Sequence, residues 1–407
     1  MDKAADSDSQ TLHESDVLCM MPWVSLHVAM NGNAYPCCFA AGDLPIGSVR
    51  GQSVTEIWNG EKARDLRVSM LAGRKSPVCA KCYEQEASGF SSLRTSANAN
   101  YRHHWDIVRE TAEDGAVRPN IVYMDVRFSN VCNFACRTCG PIASTRWSKY
   151  VPIEGGPLLR PRKSADSLLQ ELVPLLGQLE QAYFAGGEPM LTQEHYTVLE
   201  MLLAHGRDDV QLSYTTNFSR FTFRHWDVLD LWRSFKRVDV GASLDGSHER
   251  GEYLRKGQQW EAVIENRKRQ LEKCPHVVFN VSSTLSVLNC LHLPDCHEEL
   301  ADVGFIAPDQ IFVNIVQDPV HFRLTTLPAD LKRKVQERYE RHLAYLADHP
   351  NCGPAMRGWE SAIRFMYSED TSHHLGRLRE VIEEQDRARG ESVRSTFPEL
   401  QQLFATT

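Results

Sequence analysis

The sequence lacks the features of three classes of protein. No run of about 18 apolar residues occurs, so nothing indicates a membrane span. Acidic residues outnumber basic ones, 53 to 45, and the net charge of −8 argues against general nucleic-acid binding through a basic face. Residues 1–16 are polar and have no apolar core, which argues against a secretory signal. Internal repeats and low-complexity segments are also absent from the sequence.

Cysteine, in contrast, is plentiful, at 12 of 407 residues. In a chain without a secretory signal, cysteines are better interpreted as metal ligands or free thiols than as disulfides. We therefore expect a reducing compartment, most simply the cytoplasm. The length predicts about two to three domains, or one large α/β domain with an accessory domain.

The tightest group of cysteines is Cys132, Cys136 and Cys139, spaced C-x3-C-x2-C in RFSNVCNFACRTCGP. Each protein-bound iron of a [4Fe–4S] cluster takes one thiolate, so three cysteines leave one iron open to another ligand. The preceding run, 121–129, is rich in β-branched and aromatic residues and predicts a strand. Zinc is the alternative, but it usually takes four ligands in paired CxxC groups, which the C-x3-C half fits poorly.

This spacing is the signature of the radical S-adenosylmethionine (SAM) superfamily, and the chain resembles that superfamily. Further along, the segment YFAGGEPML resembles the GGEP motif of the family, and its motif residues are Gly186, Gly187, Glu188 and Pro189. Later segments resemble, in order, strand ends of the family that contact SAM, and they contribute Thr216, Asn217, Ser243, Asp245 and Arg255.

The resemblance also implies roles for some of these residues. Gly186 and Gly187 would meet the amino end of the methionine moiety of SAM, with Glu188 in support. Glycine suits such a position because it has no Cβ and lets a ligand approach the backbone. Arg255 would bind the carboxylate of SAM, since guanidinium forms bidentate pairs with carboxylates.

From Asn120 onward the pattern is strand then helix, repeated, which predicts a parallel α/β sheet or barrel. We predict strands near 121–128, 181–185, 210–215, 237–243, 277–284 and 310–316. The resemblance implies a partial (β/α)6 TIM-type barrel, preceded by a small Cys-rich module and followed by a helical extension. A closed eight-stranded barrel needs about 250 residues, more than this region offers.

The Cys-rich module contains Cys19, Cys37, Cys38 and the CxxC pair Cys79 and Cys82. Its segment CMMPWVSLHVAMNGNAYPCC predicts a β-hairpin with Asn-Gly at the tip. A CxxC with two further cysteines also allows a zinc site. However, a cysteine before a hairpin, G-x-x-Y-P-C on the return strand, an Ile-Trp helix and a CxxC resemble the twitch domain, a shortened SPASM domain. In that family the domain holds an auxiliary [4Fe–4S] cluster and usually follows the barrel, whereas here it precedes it.

The resemblance implies that the auxiliary cluster is bound by Cys19, Cys37, Cys79 and Cys82. Cys37, rather than Cys38, aligns with the ligand after the proline. Adjacent residues of a strand point to opposite faces, so we expect only one of the two to bind the cluster. Cys38 is a possible fifth ligand or a buried small apolar residue.

Other candidate residues have weaker signals. Residues 84–115 predict a polar helical stretch in which His103 and His104 are adjacent, and neighbours on a helix do not share a face. We therefore expect solvated or core histidines there rather than a metal site. The cysteines without motif spacing are expected to be free thiols: Cys274, Cys290, Cys296 and Cys352. Leu331, Val335, Tyr339 and Leu343 recur every four residues and predict an amphipathic helix.

These patterns divide the chain into five segments. We predict a disordered lead at 1–16, the twitch or SPASM-like module at 17–90, a connecting helix at 91–119, the partial barrel at 120–326 and a helical extension at 327–407.

The resemblance implies an enzyme that cleaves SAM reductively and forms a 5′-deoxyadenosyl radical, which abstracts hydrogen from a substrate. A one-electron donor such as flavodoxin or ferredoxin would supply the electron. The expected substrate is a peptide or protein side chain, oxidised with help from the auxiliary cluster. A small molecule such as an aminosugar or nucleotide is the alternative substrate. A non-catalytic Fe–S or zinc scaffold is the alternative of another class, although the GGEP motif, which serves SAM, argues against it. Beyond the cysteines that would hold the clusters, the sequence identifies no catalytic side chain.

Overall fold

The computed structural model describes residues 15–87, 91–154, 156–162 and 165–404. The predicted disordered lead lies outside these residues except for Ser15 and Asp16. Contacts divide the chain into two compact units. The first consists of Met1–Asn130, Leu158–Ser213 and Ser234–Arg237, and the second of Val131–Pro157, Tyr214–Arg233 and Val238–Thr407.

The described strands are β1 (Ser25–Val28), β2 (Asn33–Tyr35), β3 (Gly47–Ser48), β4 (Tyr123–Val126), β5 (Ala135–Cys136), β6 (Gln181–Phe184), β7 (Gln211–Thr216), β8 (Thr222–Phe223), β9 (Trp226–Asp227), β10 (Val238–Ala242), β11 (Arg255–Lys256), β12 (Val278–Leu285) and β13 (Ile311–Ile315). The described α-helices are α1 (Met21–Val24), α2 (Val54–Trp58), α3 (Glu61–Leu71), α4 (Ala80–Ala87), α5 (Leu93–Tyr101), α6 (Trp105–Arg109), α7 (Ala165–Leu172), α8 (Gln193–Ala204), α9 (Val228–Trp232), α10 (His248–Leu254), α11 (Trp260–Lys273), α12 (Leu293–Asp302), α13 (Ala329–Ala347), α14 (Gly353–Met366), α15 (Leu375–Arg389) and α16 (Val393–Thr396).

The sheet of the first unit joins the predicted hairpin to parallel strands. β1 pairs with β2 in the antiparallel direction, with His27 opposite Tyr35, and this confirms the hairpin. On its other side β1 pairs with β4 in parallel, and β4 pairs in parallel with β6. β2 is shorter than predicted and ends at Tyr35, because Pro36 has no N–H to donate to the ladder. Cys37 and Cys38 therefore lie beyond the strand.

The second unit has its own parallel strands. β10 pairs with β12, with Asp239 opposite Val278, and β12 pairs with β13, with Val281 opposite Ile311. The predicted strands near 237–243, 277–284 and 310–316 correspond to these three elements, and those near 121–128 and 181–185 correspond to β4 and β6. β7 corresponds to the remaining predicted strand. The prediction of a mixed α/β fold with many parallel strands is confirmed, and closure into a partial barrel stays a prediction.

The predicted helices are confirmed with changes at their ends. Ser53 and Glu56 form a capping box at the start of α2, in which each side chain bonds to the backbone N–H of the other residue. The stretch 84–115 is not one helix. It is divided into α4, α5, a 3-10 turn at Arg102–His104, and α6, because Ser92 caps a new helix.

The helical extension packs through one apolar stripe. α13 buries Leu331, Val335 and Tyr339, as predicted, but after Tyr339 the next buried residue is His342 rather than Leu343. A helix turns once in about 3.6 residues, so a spacing of four drifts away from the buried face. None of the helices that the structure describes is long and apolar enough to cross a membrane.

Candidate functional site

The three cysteines of the C-x3-C-x2-C motif lie in the second unit, in a loop that contains β5. β5 pairs with β11 in the antiparallel direction and places Cys136 opposite Arg255. Cys136 is buried and Cys139 is exposed. The backbone N–H of Cys139 donates to the carbonyl of Cys136 at 3.2 Å, and the backbone N–H of Phe134 donates to Sγ of Cys132 at 3.4 Å. The loop is thus folded back on itself, and Sγ of Cys132 accepts a backbone hydrogen bond.

Arg255 connects this loop to Asp245. Its Nη1 lies 3.9 Å from Sγ of Cys136, and its Nε lies 2.8 Å from Oδ2 of Asp245. A hydrogen bond from Cys139 and then the charge of Arg255 lower the pKa of the Cys136 thiol, and together they outweigh its burial. The pKa of Cys139 is raised, because its thiol donates to Cys136 and is close to that negative charge. The loop therefore favours at least one thiolate before any metal binds, which suits a cluster that needs thiolate ligands.

Asp245 is itself firmly held. Its Oδ1 accepts from the backbone N–H of Thr284 at 2.7 Å and from Nη2 of Arg255 at 3.2 Å. Nδ2 of Asn289 donates to the backbone carbonyl of Asp245 at 2.8 Å. Asp245 is buried, so its carboxylate and Arg255 form a rigid ion pair beside Cys136. To bind the carboxylate of SAM as predicted, the guanidinium of Arg255 would have to bind that carboxylate and Asp245 at the same time.

Asn217 reaches the cysteine loop from the end of β7. Its Nδ2 donates to Oδ1 of Asn133 at 2.8 Å and lies 3.9 Å from Sγ of Cys132. Its Oδ1 accepts from the hydroxyl of Ser219 at 2.6 Å. Thr216 and Ser243, two further predicted SAM contacts, are joined by a backbone hydrogen bond. The N–H of Ser243 donates to the carbonyl of Thr216 at 2.8 Å, and both residues are buried. The second unit therefore brings five predicted SAM contacts close to the cysteine loop or to one another.

Two arginines of this site were not predicted from the sequence. Arg137 lies between two cysteines of the motif and is buried, and its Nη2 donates to Asp386 and Glu391, at 2.7 Å in each case. Its guanidinium stacks on the ring of Tyr253 at 3.4 Å. The partners on the extension are about 250 residues away along the chain, so no local pattern could indicate them.

Arg389, at the end of α15, stacks on Trp147 at 4.7 Å and on Tyr150 at 5.0 Å. Its three guanidine nitrogens are buried and, among the residues that the structure describes, have no hydrogen-bond partner. A buried cation with unsatisfied donors is costly unless an anion compensates it. The charge of Arg389 also lowers the pKa of the Cys136 thiol, by less than the hydrogen bond from Cys139 and the charge of Arg255 do. Arg389 thus fits a loop that carries an anionic thiolate-bound cluster.

The GGEP segment forms a tight turn at the end of β6, in the first unit. Gly186 has φ +128°, a backbone conformation that side chains rarely adopt, and a Cβ there would lie 3.2 Å from the carbonyl oxygen of Ser129. The backbone N–H of Gly187 donates to the same carbonyl at 3.3 Å. Glu188 is buried and accepts from the backbone N–H of Met190, which caps a 3-10 turn that starts at Pro189. The backbone alone therefore favours glycine at position 186, whatever this turn binds.

Four cysteines of the N-terminal module converge within the first unit. Burial, and then charge repulsion by the thiol of Cys37, raise the pKa of Cys19 well above its usual range, with further contributions from Cys79 and Cys82. Burial, and after it the charges of Cys79 and Cys82, raise the pKa of Cys37 to about 12. Thiols in such surroundings become thiolates only when a metal supplies positive charge. The set therefore fits a metal centre.

The spacing of these thiols favours an iron–sulfur cluster over zinc. Among the described residues, no three cysteine sulfurs lie within 4.8 Å of one another. A tetrahedral zinc ion with Zn–S bonds of about 2.3 Å would hold its thiolates about 3.8 Å apart. A [4Fe–4S] cluster binds each thiolate through a different iron, so it accepts thiolates that lie farther apart.

Cys38 faces a different environment from Cys37. Cys38 is exposed, so the prediction of a buried small apolar residue is wrong, and the charges that act most on its thiol are those of Asp125, Cys37 and Arg127. Asp125 is buried, and its carboxylate accepts from Nε of Arg127 at 2.6 Å and lies 3.0 Å from Nδ1 of His27. Burial would raise the pKa of Asp125, but Arg127 and His27 outweigh it and lower the pKa to about 2. Cys38 thus lies close to this ion pair, whereas the thiol of Cys37 interacts with Cys79 and Cys82.

Residues 19–83 match the family model of SPASM, an iron-sulfur cluster-binding domain. This segment of the chain is thus similar to a SPASM domain. The match begins at Cys19, includes Cys37, Cys79 and Cys82, and ends at Tyr83. It confirms the resemblance that the N-terminal module was predicted to have. The rest of the chain, which contains the C-x3-C-x2-C motif and GGEP, lies outside the matched residues.

A comparison with curated proteins found no match. Among solved structures, the chain is similar to native anSMEcpe with bound AdoMet and Cp18Cys peptide, at 17% identity over 55% of this chain and 59% of that chain, with a TM-score of 0.37. It is also similar to TYW1 with a lysine-pyruvate adduct bound, at 11% identity over 51% of this chain and 68% of that chain, with a TM-score of 0.30. The chain thus spans less than two thirds of the length of anSMEcpe. TM-scores of this size do not define a shared fold.

Proposed function

We propose that this protein is a radical SAM enzyme whose SPASM domain holds an auxiliary [4Fe–4S] cluster. The observation that carries the proposal is the cysteine loop of the second unit. Three cysteines spaced C-x3-C-x2-C occur there with a cation, Arg255, 3.9 Å from Sγ of Cys136 and with Asn217 3.9 Å from Sγ of Cys132. A three-thiolate site with polar strand ends around it fits a cluster that has one iron left for SAM.

The residues of the chain have distinct roles in this proposal. Cys132, Cys136 and Cys139 would hold the cluster, and because they supply only three thiolates, the amino and carboxylate groups of SAM would complete its ligands. When bound and reduced, the cluster supplies the electron that cleaves SAM to methionine and a 5′-deoxyadenosyl radical. Gly186 and Gly187 leave room for the amino end of SAM, and Glu188 holds their turn. The second unit contributes the remaining SAM contacts: Thr216, Asn217, Ser243, Asp245 and Arg255.

The SPASM domain supports an oxidation as the net reaction. Four thiolates, from Cys19, Cys37, Cys79 and Cys82, would occupy all four irons of an auxiliary cluster, so that cluster would have no open iron for substrate. A cluster held in this way would supply an electron acceptor for the oxidation of the substrate. We propose a peptide or protein side chain as the substrate and a flavodoxin or ferredoxin as the donor to the SAM cluster. The strands from β4 to β13 would close into the partial barrel that surrounds the reaction.

The experiment is anaerobic reconstitution followed by measurement of iron, sulfide and 5′-deoxyadenosine after addition of SAM and dithionite. We expect about eight irons per chain, since each [4Fe–4S] cluster holds four, and formation of the nucleoside. Cys136→Ala should retain about four irons per chain and should form no 5′-deoxyadenosine. Cys296→Ala, at a buried cysteine without motif spacing, is the matched control and should behave as the parent protein. Cleavage of SAM by Cys136→Ala would contradict the site, and a parent protein that forms no nucleoside would favour a non-catalytic scaffold.

A further inference from the structure

A set of ligand atoms without sulfur lies elsewhere in the first unit. His103 and His104 end the 3-10 turn that follows α5, and Glu180 directly precedes β6. Nε2 of His103 lies 3.2 and 3.0 Å from the two carboxylate oxygens of Glu180, and Nε2 of His104 lies 2.7 Å from one of them. These three ligand atoms all lie within 4.8 Å of one another, and no other set of three His, Cys, Asp or Glu among the described residues does so.

The local backbone explains why adjacent histidines converge. They were expected to point apart, as neighbours on a regular helix do. His104, however, is the residue before α6 and has φ −93° and ψ 16°, so it is not part of a continuous helix. The two ring centroids are 4.3 Å apart. Glu180 is 77 residues from His103 along the chain, so only the folded structure brings the third ligand to the pair.

We propose that His103, His104 and Glu180 form a binding site for one divalent first-row transition metal ion, with zinc as the simplest occupant. Two neutral imidazoles and a carboxylate are the ligand types that zinc accepts in three-ligand sites, which leave a position open for water. Bonds of about 2.0–2.2 Å in a tetrahedron place ligand atoms about 3.3–3.6 Å apart. The observed separations between imidazole nitrogen and carboxylate oxygen, 2.7 to 3.2 Å, would therefore need to widen by about 0.1–0.9 Å.

The charges and exposure around the set allow an ion to enter. The side chains of His103 and Glu180 are 54% and 41% exposed, so solvent reaches the ligand atoms directly. Arg207 is the nearby cation, but it is engaged elsewhere. Its Nε and Nη2 bond to Asp209, and its Nη1 donates to two backbone carbonyls. The carboxylate of Glu180 is left as the charge that would balance the ion.

Binding at this site would stabilise one particular connection. The ion would join the turn after α5 to the residue that directly precedes β6, and the GGEP turn lies at the other end of that strand. A ligand that binds only the folded state stabilises it by mass action. Zinc should therefore raise the unfolding temperature of the protein, and it should do so whether or not the chain cleaves SAM.

The test uses the full chain with its cysteines loaded with iron and sulfide, so that the cluster thiols do not compete for zinc. Equilibrium dialysis against zinc alone, with metal analysis, should show one equivalent fewer in the double variant His103→Ala/His104→Ala than in the parent. Glu180→Gln is the sharper variant, because an amide oxygen can still accept hydrogen bonds from both rings but has no charge. It should bind this zinc more than about tenfold more weakly.

The matched control is His248→Ala. His248 is also exposed and also contacts a carboxylate, Oε1 of Glu299, but it belongs to no set of three ligands among the described residues. It should bind zinc as the parent does, and zinc should raise its unfolding temperature equally. The proposal would be overturned if the double variant or Glu180→Gln retained the full zinc content and the thermal shift, or if His248→Ala lost the same equivalent.

Discussion

Cys136 and Arg255 lie opposite each other on two short antiparallel strands, and Nη1 of the arginine is 3.9 Å from Sγ of the cysteine. The same guanidinium forms an ion pair with the buried carboxylate of Asp245 at 2.8 Å. A cation therefore stands between a carboxylate and a thiol that has a lowered pKa. Each of these groups depends on the other two, because removal of the cation leaves two negative groups in a buried place.

The first prediction concerns Arg255→Met. This change should destabilise folding by about 3–5 kcal/mol, because it leaves Asp245 as an uncompensated buried charge. It should also reduce the iron retained by the C-x3-C-x2-C loop, since Cys136 loses the cation that favours its thiolate. Urea denaturation and iron analysis measure the two effects. Lys256→Met is the control, because the adjacent Lys256 pairs with Glu391 instead of with a thiol. Equal iron content in both variants would contradict the prediction.

The second prediction separates Cys38 from the auxiliary set. Cys79→Ala should lose about four irons per chain, since the auxiliary cluster loses one of its four ligands. Cys38→Ala should retain the full iron content, because Cys38 is exposed and the largest charge interaction of its thiol is with Asp125. In the first variant, SAM cleavage should continue without oxidation of substrate. Loss of iron from Cys38→Ala would make Cys38 a ligand.

The third prediction concerns the GGEP turn. Gly186→Ala should destabilise folding by about 1–3 kcal/mol, because alanine would have to adopt φ +128°. Its Cβ would also lie 3.2 Å from the carbonyl oxygen of Ser129. Gly177→Ala is the control, since no atom lies within 4 Å of the added Cβ and its φ is not positive. Denaturation midpoints of the two variants measure the difference, and similar midpoints would show that the turn tolerates a side chain.

The fourth prediction concerns acid. Burial, and then the neighbouring His342, lower the pKa of His297 to about 3. The unfolded chain, with a histidine pKa of about 6.5, takes up this proton first, so stability falls as the pH drops from about 6.5 towards 3. His297→Gln should reduce the slope of unfolding free energy against pH by up to about 1.4 kcal/mol per pH unit below pH 6.

Urea denaturation between pH 7.5 and 5 measures that slope. Glutamine can still bond to His342 and to the carbonyl of Pro308, the two present partners of His297, so the change mainly removes the titration. His373→Gln, at an exposed histidine, is the control and should leave the slope of the parent unchanged. An identical slope in His297→Gln would show that the histidine does not couple folding to pH.

Much of the fold could be predicted because its signals are local. β12 was expected at 277–284 and is found at Val278–Leu285, since a run of β-branched residues indicates a strand wherever it lies. Helix ends were less predictable. The single helical stretch expected at 84–115 is divided, because a cap at Ser92 and the turn at Arg102–His104 compete with helix continuation.

The sequence by itself predicts the chemistry that we propose for this protein. The spacing of Cys132, Cys136 and Cys139, and the pattern around Cys79 and Cys82, indicated iron–sulfur binding, because thiolates close along the chain can share one centre. Tertiary structure decided which groups stand next to those thiols. In the folded chain, Arg255 lies beside Cys136, Cys38 lies close to Asp125, and Glu180 contacts His103 and His104. Such pairings depend on strand register and on where a turn breaks a helix, and these are settled by packing between segments that are far apart in the chain.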